Sequence, residues 1–488
     1  MASRFPWWII IGAAIITAGY LPTLRTPFDF IDDGNLVYPA PVGTVNYASI
    51  WWEKVRANYD HLGPFRPTLW FHWELFANLF NGHPLAWRIE RLLWCGVAAG
   101  TMLWFFRELN IPRLAAFVAT TAAMWNPYRN EIWTSLTLAE GVAMPYALLA
   151  LIAAKRGSLS TRAWVWDFVA LFGLTVALGC KNTFVALIPP MVILRMLLDG
   201  KSWQASWRTN GWRSFILAIP VLFAIVHFVY FKLHWHPGQY ETHGPSWDQA
   251  IRILKSLKGA ISFDFMIVGY VITVLTCAIR TGNTFQFSPR FLAALTLVIS
   301  GMIVYLPMEM MSGRYSMPAV WGLDILFAVL LKQLLSIAPS FWTRLCWIAI
   351  VVGLSATCIA NLGRQDKFTA RAKLLDSALQ RIAEIAPKNA SIAWYSGNSL
   401  VGELDREEGI HFYWHLQARG RNDITLQLFD AEGKRIVRPE LPRTENERSF
   451  KISHSPITET GWSTPEPFES RYWFGQKSLT CFVSFKIE

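Results

Sequence analysis

The sequence predicts an α-helical membrane protein that crosses the bilayer about eleven times and ends in a small α+β domain outside the membrane. Three observations carry this expectation. Of 488 residues, 53% are hydrophobic and only 16% charged, against roughly 25% charged in soluble domains, and the mean hydropathy is +0.28. The apolar residues gather in runs long enough to cross a hydrocarbon core of ~30 Å. The stretch after Asn361 has no such run and shows strand-like alternation towards its end.

Candidate spans fall at 6–24, 87–106, 112–126, 138–154, 164–180, 183–198, 213–232, 262–279, 291–307, 317–335 and 345–361. With the N-terminus on the cytoplasmic side, the inner loops collect Arg107 and Arg113, then Lys155, Arg156 and Arg162, then Arg195, Lys201, Arg208 and Arg213. The later ones hold Arg280 and Arg290, then Lys332 and Arg344, with few acids beside them. This positive-inside bias accounts for the net charge of +11 without a nucleic-acid partner. No basic tract with interleaved aromatics, which a nucleic-acid surface would need, is present. The start, MASRFPWW, has no small-residue cleavage site and reads as the entry to a retained first helix. Cys95, Cys180, Cys277, Cys346 and Cys358 lie in or at the ends of spans, which leaves Cys481 alone in the tail and no disulfide expected there.

Two regions are too polar to cross. The first, 25–86, is an outer loop in which Tyr47–Tyr59 and Pro67–Phe80 mix aromatics with charges, as helices lying in the interface do. Trp51, Trp52, Trp70 and Trp73 fit an anchoring belt better than a sugar-stacking platform. The second is the tail, so the chain divides into 1–362, in the membrane, and 363–488, outside it. A helix is expected over Arg364–Ala386, where Leu374, Leu375, Leu379, Ile382 and Ile385 form one stripe closed by Pro387. Strands are expected at Ser391–Tyr395, Ile424–Phe429 and Leu479–Ile487.

Polar clusters recur on the outer face of this threading. Asp32 and Asp33 stand just past the first span, in FDFIDDGNLVYP. Arg66 lies in GPFRPTLW, Arg129 and Glu131 in WNPYRNEIW, Lys181 in LGCKNTFVALIPP, and Glu309 and Arg314 in MMSGRYSMPA. Each has an ordinary explanation. Asp33-Gly34 is good turn chemistry, an Arg at a helix end snorkels, and a Lys caps carbonyls. Gathered at one end of a bundle, acids and bases describe a pocket for an anionic group with a proton acceptor beside it.

The order of these motifs resembles the type-C (GT-C) glycosyltransferase superfamily, membrane enzymes that take sugars from polyprenyl-phosphate carriers. The likeness is to the branch of protein O-mannosyltransferases and of transmembrane O-mannosyltransferases with tetratricopeptide tails. FDFIDDGNLVYP is similar to their Asp-Asp signature, and FRPTLWFHWELFANLFNGHPLAWRIERLLW to the Arg-Pro segment and second span that follow it. NPYRNEIWTSLTLAE resembles their outer-loop motif with Pro and Glu, LGCKNTFVALIPP their Lys-Glu-Thr motif, and GRYSMPA their late Arg-Tyr-x-x-Pro segment. The resemblance spans about 7–320. It departs at Lys181-Asn182, where the acid that usually follows the Lys is missing, and at Tyr128 and Arg129; the tail is not a tetratricopeptide array.

The resemblance implies an inverting hexosyltransferase-type enzyme moving a sugar from a polyprenyl phosphate to a hydroxyl on a cell-envelope glycan, lipid or protein. It implies Asp32 as general base, with Asp33 as an acceptor-side hydrogen-bonding partner or as ligand of a divalent cation. Arg66, Lys181 and Arg314 become phosphate partners, and Glu131 an orienter of substrate or of an Arg that pairs with the base. Membrane lipid is the surrounding partner, and the expected location is a bacterial inner membrane with site and tail on the periplasmic face. A lipid-linked oligosaccharide polymerase or ligase would lack the early acid pair. A flippase or transporter would show internal repeats and polar groups at the bilayer midplane. A scaffold presenting the tail is the non-enzymatic alternative.

Overall fold

The computed structural model describes residues 6–29, 33–37, 47–62, 65–80, 82–196, 203–234, 247–261, 289–305, 317–336, 340–395, 405–429, 435–436, 448–453, 463, 466–471 and 478–485. The expected span 262–279 lies outside them. So do Asp32, Glu309 and Arg314.

Helix α1 (Trp7–Ala18) is apolar on all sides and runs into a 3-10 turn at Leu21–Arg25. The short α2 (Gly34–Val37) follows, then α3 (Tyr47–Leu62) and α4 (Pro67–Phe80), in the places expected for the outer-loop helices. Pro67 opens α4, where a missing N–H costs nothing, and its carbonyl accepts the Trp51 indole N–H at 2.7 Å. Trp73 is buried while Trp52 is exposed, so the four tryptophans do not share one surface belt.

Helix α5 (Pro84–Glu108) explains the bundle best. Leu85, Ile89, Leu93 and Val97 recur every four residues and are exposed, whereas Trp87, Cys95, Ala98, Met102 and Phe106 are buried. A helix apolar on both faces with one face uncovered is comfortable only against lipid. Behind it pack α6 (Arg113–Met124), α7 (Glu131–Thr134), α8 (Ala139–Gly157) and α9 (Ala163–Cys180). Small side chains such as Ala143, Ala147, Ala150 and Ala170 are buried between α8 and α9 and let the backbones approach. A 3-10 segment, Asn182–Leu187, leads to α10 (Ile188–Met196), then α11 (Trp203–His234), α12 (Trp247–Ile261), α13 (Pro289–Ile303) and α14 (Met317–Ser336). Among the described residues, α5, α9, α14 and the next helix are long and apolar enough to cross a membrane, and four shorter apolar helices accompany them.

That next helix, α15 (Phe341–Ile385), has 45 residues, about 67 Å at helical rise. It begins with a capping box in which Ser340 and Thr343 exchange hydrogen bonds. The expected boundary at 362/363 falls inside it. Gly363 has open space around it and does not break the helix, which runs on to Ile385 and is capped by Ala386, just before Pro387. The span therefore continues as a rod into the tail.

There β1 (Ser391–Tyr395), α16 (Asp405–Ala418) and β2 (Thr425–Phe429) form a parallel βαβ unit. With β3 (Arg435–Ile436), β4 (Arg448–Ser453), β5 (Glu466–Arg471) and β6 (Ser478–Phe485) they make one mixed sheet, ordered β3-β2-β1-β4-β6-β5. Leu374, Leu375, Leu379 and Ile382 of α15 and Phe412 and Leu416 of α16 pack on Ile392, Leu426, Leu428 and Val483. The predicted stripe and strands thus meet in one core.

Candidate functional site

The first two turns of α5 carry three charged side chains, Arg88, Glu90 and Arg91, into the protein. Arg88 and Arg91, three apart and so on one face, are 1% and 2% exposed. Arg88 donates from Nε to the Thr26 carbonyl at 3.1 Å, from Nη2 to that of Pro27 at 2.8 Å, and from Nη1 to that of Thr134. Arg91 donates to the carbonyls of Leu138, at 3.3 Å, and Leu136. Gly141 lets this guanidinium in, since an added Cβ would occupy the place of Nη1. The stretch 26–27 and the end of α7 with the residues after it, 134–138, are thereby tied to the mouth of one helix, and their carbonyls find partners away from water.

Asp33 closes this arrangement. Its Oδ2 accepts the Asp29 N–H at 2.9 Å and lies 3.9 Å from Arg88 Nη2. The acid is 1% exposed. Burial raises its pKa to about 6, against the pull of Arg88 and with a further push from Asp29; the Asp29 N–H and Arg91 act in the opposite sense. The Asp29 carboxylate pairs with Arg371 of α15. His415 of α16 is hydrogen-bonded to the Asp29 backbone, and burial, with His411 and Arg419 nearby, holds its pKa down at about 3, so the ring is neutral.

A second pair lies at the same end. Helix α9 stops at Cys180, and Lys181, in extended conformation, turns its amine to Glu140 in the first turn of α8. Both side chains are buried. Glu140 also acts electrostatically on Arg91, which joins the pair to the Asp33 group. Arg66 precedes α4, whose Thr68 abuts Gly179, and lies within electrostatic reach of Cys180. Its buried Nε has no hydrogen-bond partner among the described residues.

Of the residues expected from sequence, Asp33, Arg66 and Lys181 come to one end of the bundle. Glu131 opens α7 but is exposed, and the acid beside Lys181 is Glu140, which replaces the one missing at position 182. Asp29, Arg88, Arg91, Glu140 and Arg371 were not singled out in the sequence. The signal for the arginines was available, because ionisable residues inside a span are functional by default. Among the described residues no three His, Cys, Asp or Glu side chains converge as metal ligands. Asp33 Oδ2 already accepts an N–H and faces a guanidinium.

The opposite end is different in kind. There Arg156 pairs with Glu108 at 2.7 Å and stacks on Trp104 and Trp166, both at 5.0 Å. An apolar groove of about 1070 Å³ runs between these ends along α5, lined by Phe76, Phe80, Ile89, Leu93, Tyr146 and Trp104 among others. It meets the charged seam at Glu90, next to Arg91; neither Asp33 nor Lys181 lines it.

No protein-family model and no curated protein matches the sequence. Solved structures do. ArnT from Cupriavidus metallidurans in the apo state is 14% identical, with a TM-score of 0.53 and 98% of each chain covered. The same protein bound to undecaprenyl phosphate is 13% identical, with a TM-score of 0.49 and again 98% of each chain covered. At this identity the likeness is one of fold: the chain is a helical membrane protein with a GT-C-like fold.

Proposed function

We propose that this GT-C-like chain is an inverting glycosyltransferase that moves a sugar from a polyprenyl-phosphate donor to a hydroxyl acceptor at the membrane face where Asp33 and Lys181 lie. The observation that carries the reading is the pairing of a carboxylate titrating near neutrality with a cluster of buried cations at one end of the bundle. ArnT, whose fold the chain shares, has been seen with undecaprenyl phosphate, which supports the donor class.

In the proposed step a carboxylate of the Asp32–Asp33 pair takes the proton of the acceptor hydroxyl as its oxygen attacks the anomeric carbon. The bond from that carbon to the phosphate oxygen breaks, and the phosphate leaves with its charge met by Arg66, Lys181 and Arg314. Glu140 holds the Lys181 amine in place until the phosphate competes for it. A single displacement inverts the anomeric configuration. Asp33 has the pKa suited to a base working near neutral pH. Asp32 retains the role expected from sequence, and paired Asn variants decide between them. The base is the residue whose replacement removes both turnover and its acid limb.

The test uses the full-length protein in proteoliposomes with a panel of undecaprenyl-phosphate-linked radiolabelled sugars. Loss of label from at least one lipid donor, abolished by Asp32→Asn or Asp33→Asn, is expected. Consumption of none, or undiminished consumption by both variants, would refute the assignment.

A further inference from the structure

The loop that carries Asp33 is gripped from the C-terminal side of the chain, by residues to which sugar transfer assigns no task. Midway along α15, Thr369 shares a hydrogen bond with Thr26 at 2.7 Å, and two residues later Arg371 pairs with the Asp29 carboxylate. The Phe368 ring lies 5.6 Å from the Arg88 guanidinium and 5.1 Å from that of Arg371, between the two cations that hold the loop. From α16, the His415 ring stands 5.7 Å from that of Phe28 and bonds the Asp29 backbone. His411 fills the space over Gly34, where an added Cβ would stand 2.7 Å from the His411 Cβ and 2.8 Å from its Cα. Only glycine fits there, beside the acid pair.

These contacts act on Asp33 through one intermediary. The Asp29 N–H donates to Asp33 Oδ2, so whatever fixes Asp29 also aims the Asp33 carboxylate. Asp29 is fixed by Arg371 on one side and His415 on the other. We propose that Arg371, His411 and His415 are positioning residues of the active site, and that the tail domain sets the aim of the Asp33 carboxylate by clamping residues 26–29 and 33–34. The effect on turnover rests on the sugar-transfer reading; the clamp itself does not.

The groups facing Asp33 are Asp29 from its own loop and Arg88 and Arg91 from α5. Those facing Asp29 are Arg371 from α15, His415 from α16 and Arg88 from α5. Arg371→Met removes the ion-pair partner of Asp29 and leaves its charge to Arg88, which Asp33 shares, so the acid limb of turnover should move to higher pH. Asp29→Asn should move it to lower pH. Misaim by about 1 Å lowers turnover on the order of tenfold to a hundredfold, so kcat should fall by that amount in Arg371→Met, with donor KM little changed. Arg371→Lys should recover most of it. Gly34→Ala tests the clamp without touching a charge: it wedges α16 off the loop and should lower kcat similarly.

The experiment measures kcat, KM and the acid limb for these variants in proteoliposomes, with the undecaprenyl-phosphate-linked sugar that the wild type consumes. Hydrogen exchange over 26–37 is followed in parallel on the full-length protein. Faster exchange confined to 26–37 and α16, with lower kcat and a displaced acid limb, is the expected result. Wild-type kcat and acid limb in both Arg371→Met and Gly34→Ala, against an inactive Asp33→Asn, would overturn the positioning role alone. Unchanged exchange at 26–37 in Gly34→Ala would overturn the clamp. Full activity in both Asp32→Asn and Asp33→Asn would overturn the sugar-transfer reading and the positioning role together.

Discussion

Replacing Asp33 by Asn should make the protein less active and, above pH 6, more stable. The carboxyl titrates at about 6 in the folded chain against 3.8 for an ordinary aspartate. That gap corresponds to about 3 kcal/mol between the two protonation states. A raised folded pKa means that the neutral acid favours folding. Its contribution is fully present below 3.8 and is lost as pH rises through 6, above which a buried charge opposes the fold. The amide of the Asp33→Asn variant would carry no such charge, and its oxygen could still accept the Asp29 N–H. Arg88 would keep the carbonyls of Thr26, Pro27 and Thr134. Thermal unfolding in detergent, read on the 25 tryptophans, should therefore show Asp33→Asn above wild type at pH 8 and level with it at pH 4. Turnover should fall about 10²–10⁴-fold at pH 7 if Asp33 is the base. In the wild type, a group of this pKa is roughly a tenth ionised at pH 5 and nine-tenths at pH 7, a tenfold rise in rate. An ordinary carboxylate would give almost none over that range. A stability difference independent of pH, or an acid limb near 4, would refute the reasoning.

How much of this was legible in the sequence depended on whether the deciding contacts were local. Helix α4 matches its expected limits, Pro67–Phe80, because the Pro at its start is a local signal. The strands at 391–395, 425–429 and 478–485 followed from alternation and turn residues. The continuity of α15 was not legible: the polar run Gly363-Arg364-Gln365-Asp366-Lys367 reads equally as a chain leaving the bilayer and as a helix that simply leaves it straight. Arg364 and Gln365 in fact bond the carbonyls of Pro127 and Gly19, partners more than two hundred residues away. The same limit governed the site. Glu131 and Glu140 sit in one motif, and nothing in it says that the first faces solvent while the second meets Lys181. Arg88 and Arg91 fall inside an expected span, yet their positions alone do not say whether they snorkel or turn inwards, nor which carbonyls they meet. Arg371, His411 and His415 have no local signal, because what they touch lies some 340 to 390 positions earlier in the chain.

Further outcomes separate structural from chemical roles. Lys181→Met and Glu140→Gln should each destabilise by about 3–5 kcal/mol, since each strands a buried partner. The double variant should regain stability in the unfolding assay without regaining transfer, and recovery of transfer would remove Lys181 from the phosphate site. Glu131→Gln, exposed on α7, should keep turnover within about twofold of wild type; a large loss would return Glu131 to the site. Orientation is checked with cysteines placed at Lys388 in the tail and at Leu159, 71% exposed at the other end of the bundle. An impermeant maleimide on intact cells should label the first and spare the second, and the reverse would invert the threading. The last outcome concerns Arg129 and Asp324, a bidentate pair at 2.6 and 2.9 Å that ties the turn before α7 to α14. Both are buried, so Asp324→Asn should cost about 3–5 kcal/mol, and Arg129→Met with Asp324→Leu should recover most of it. Neither side chain belongs to the seam of Asp33, Arg88, Arg91 and Glu140. Transfer per folded molecule should therefore be unchanged in both variants, and a fall in that normalised rate with the fold intact would extend the site to α14.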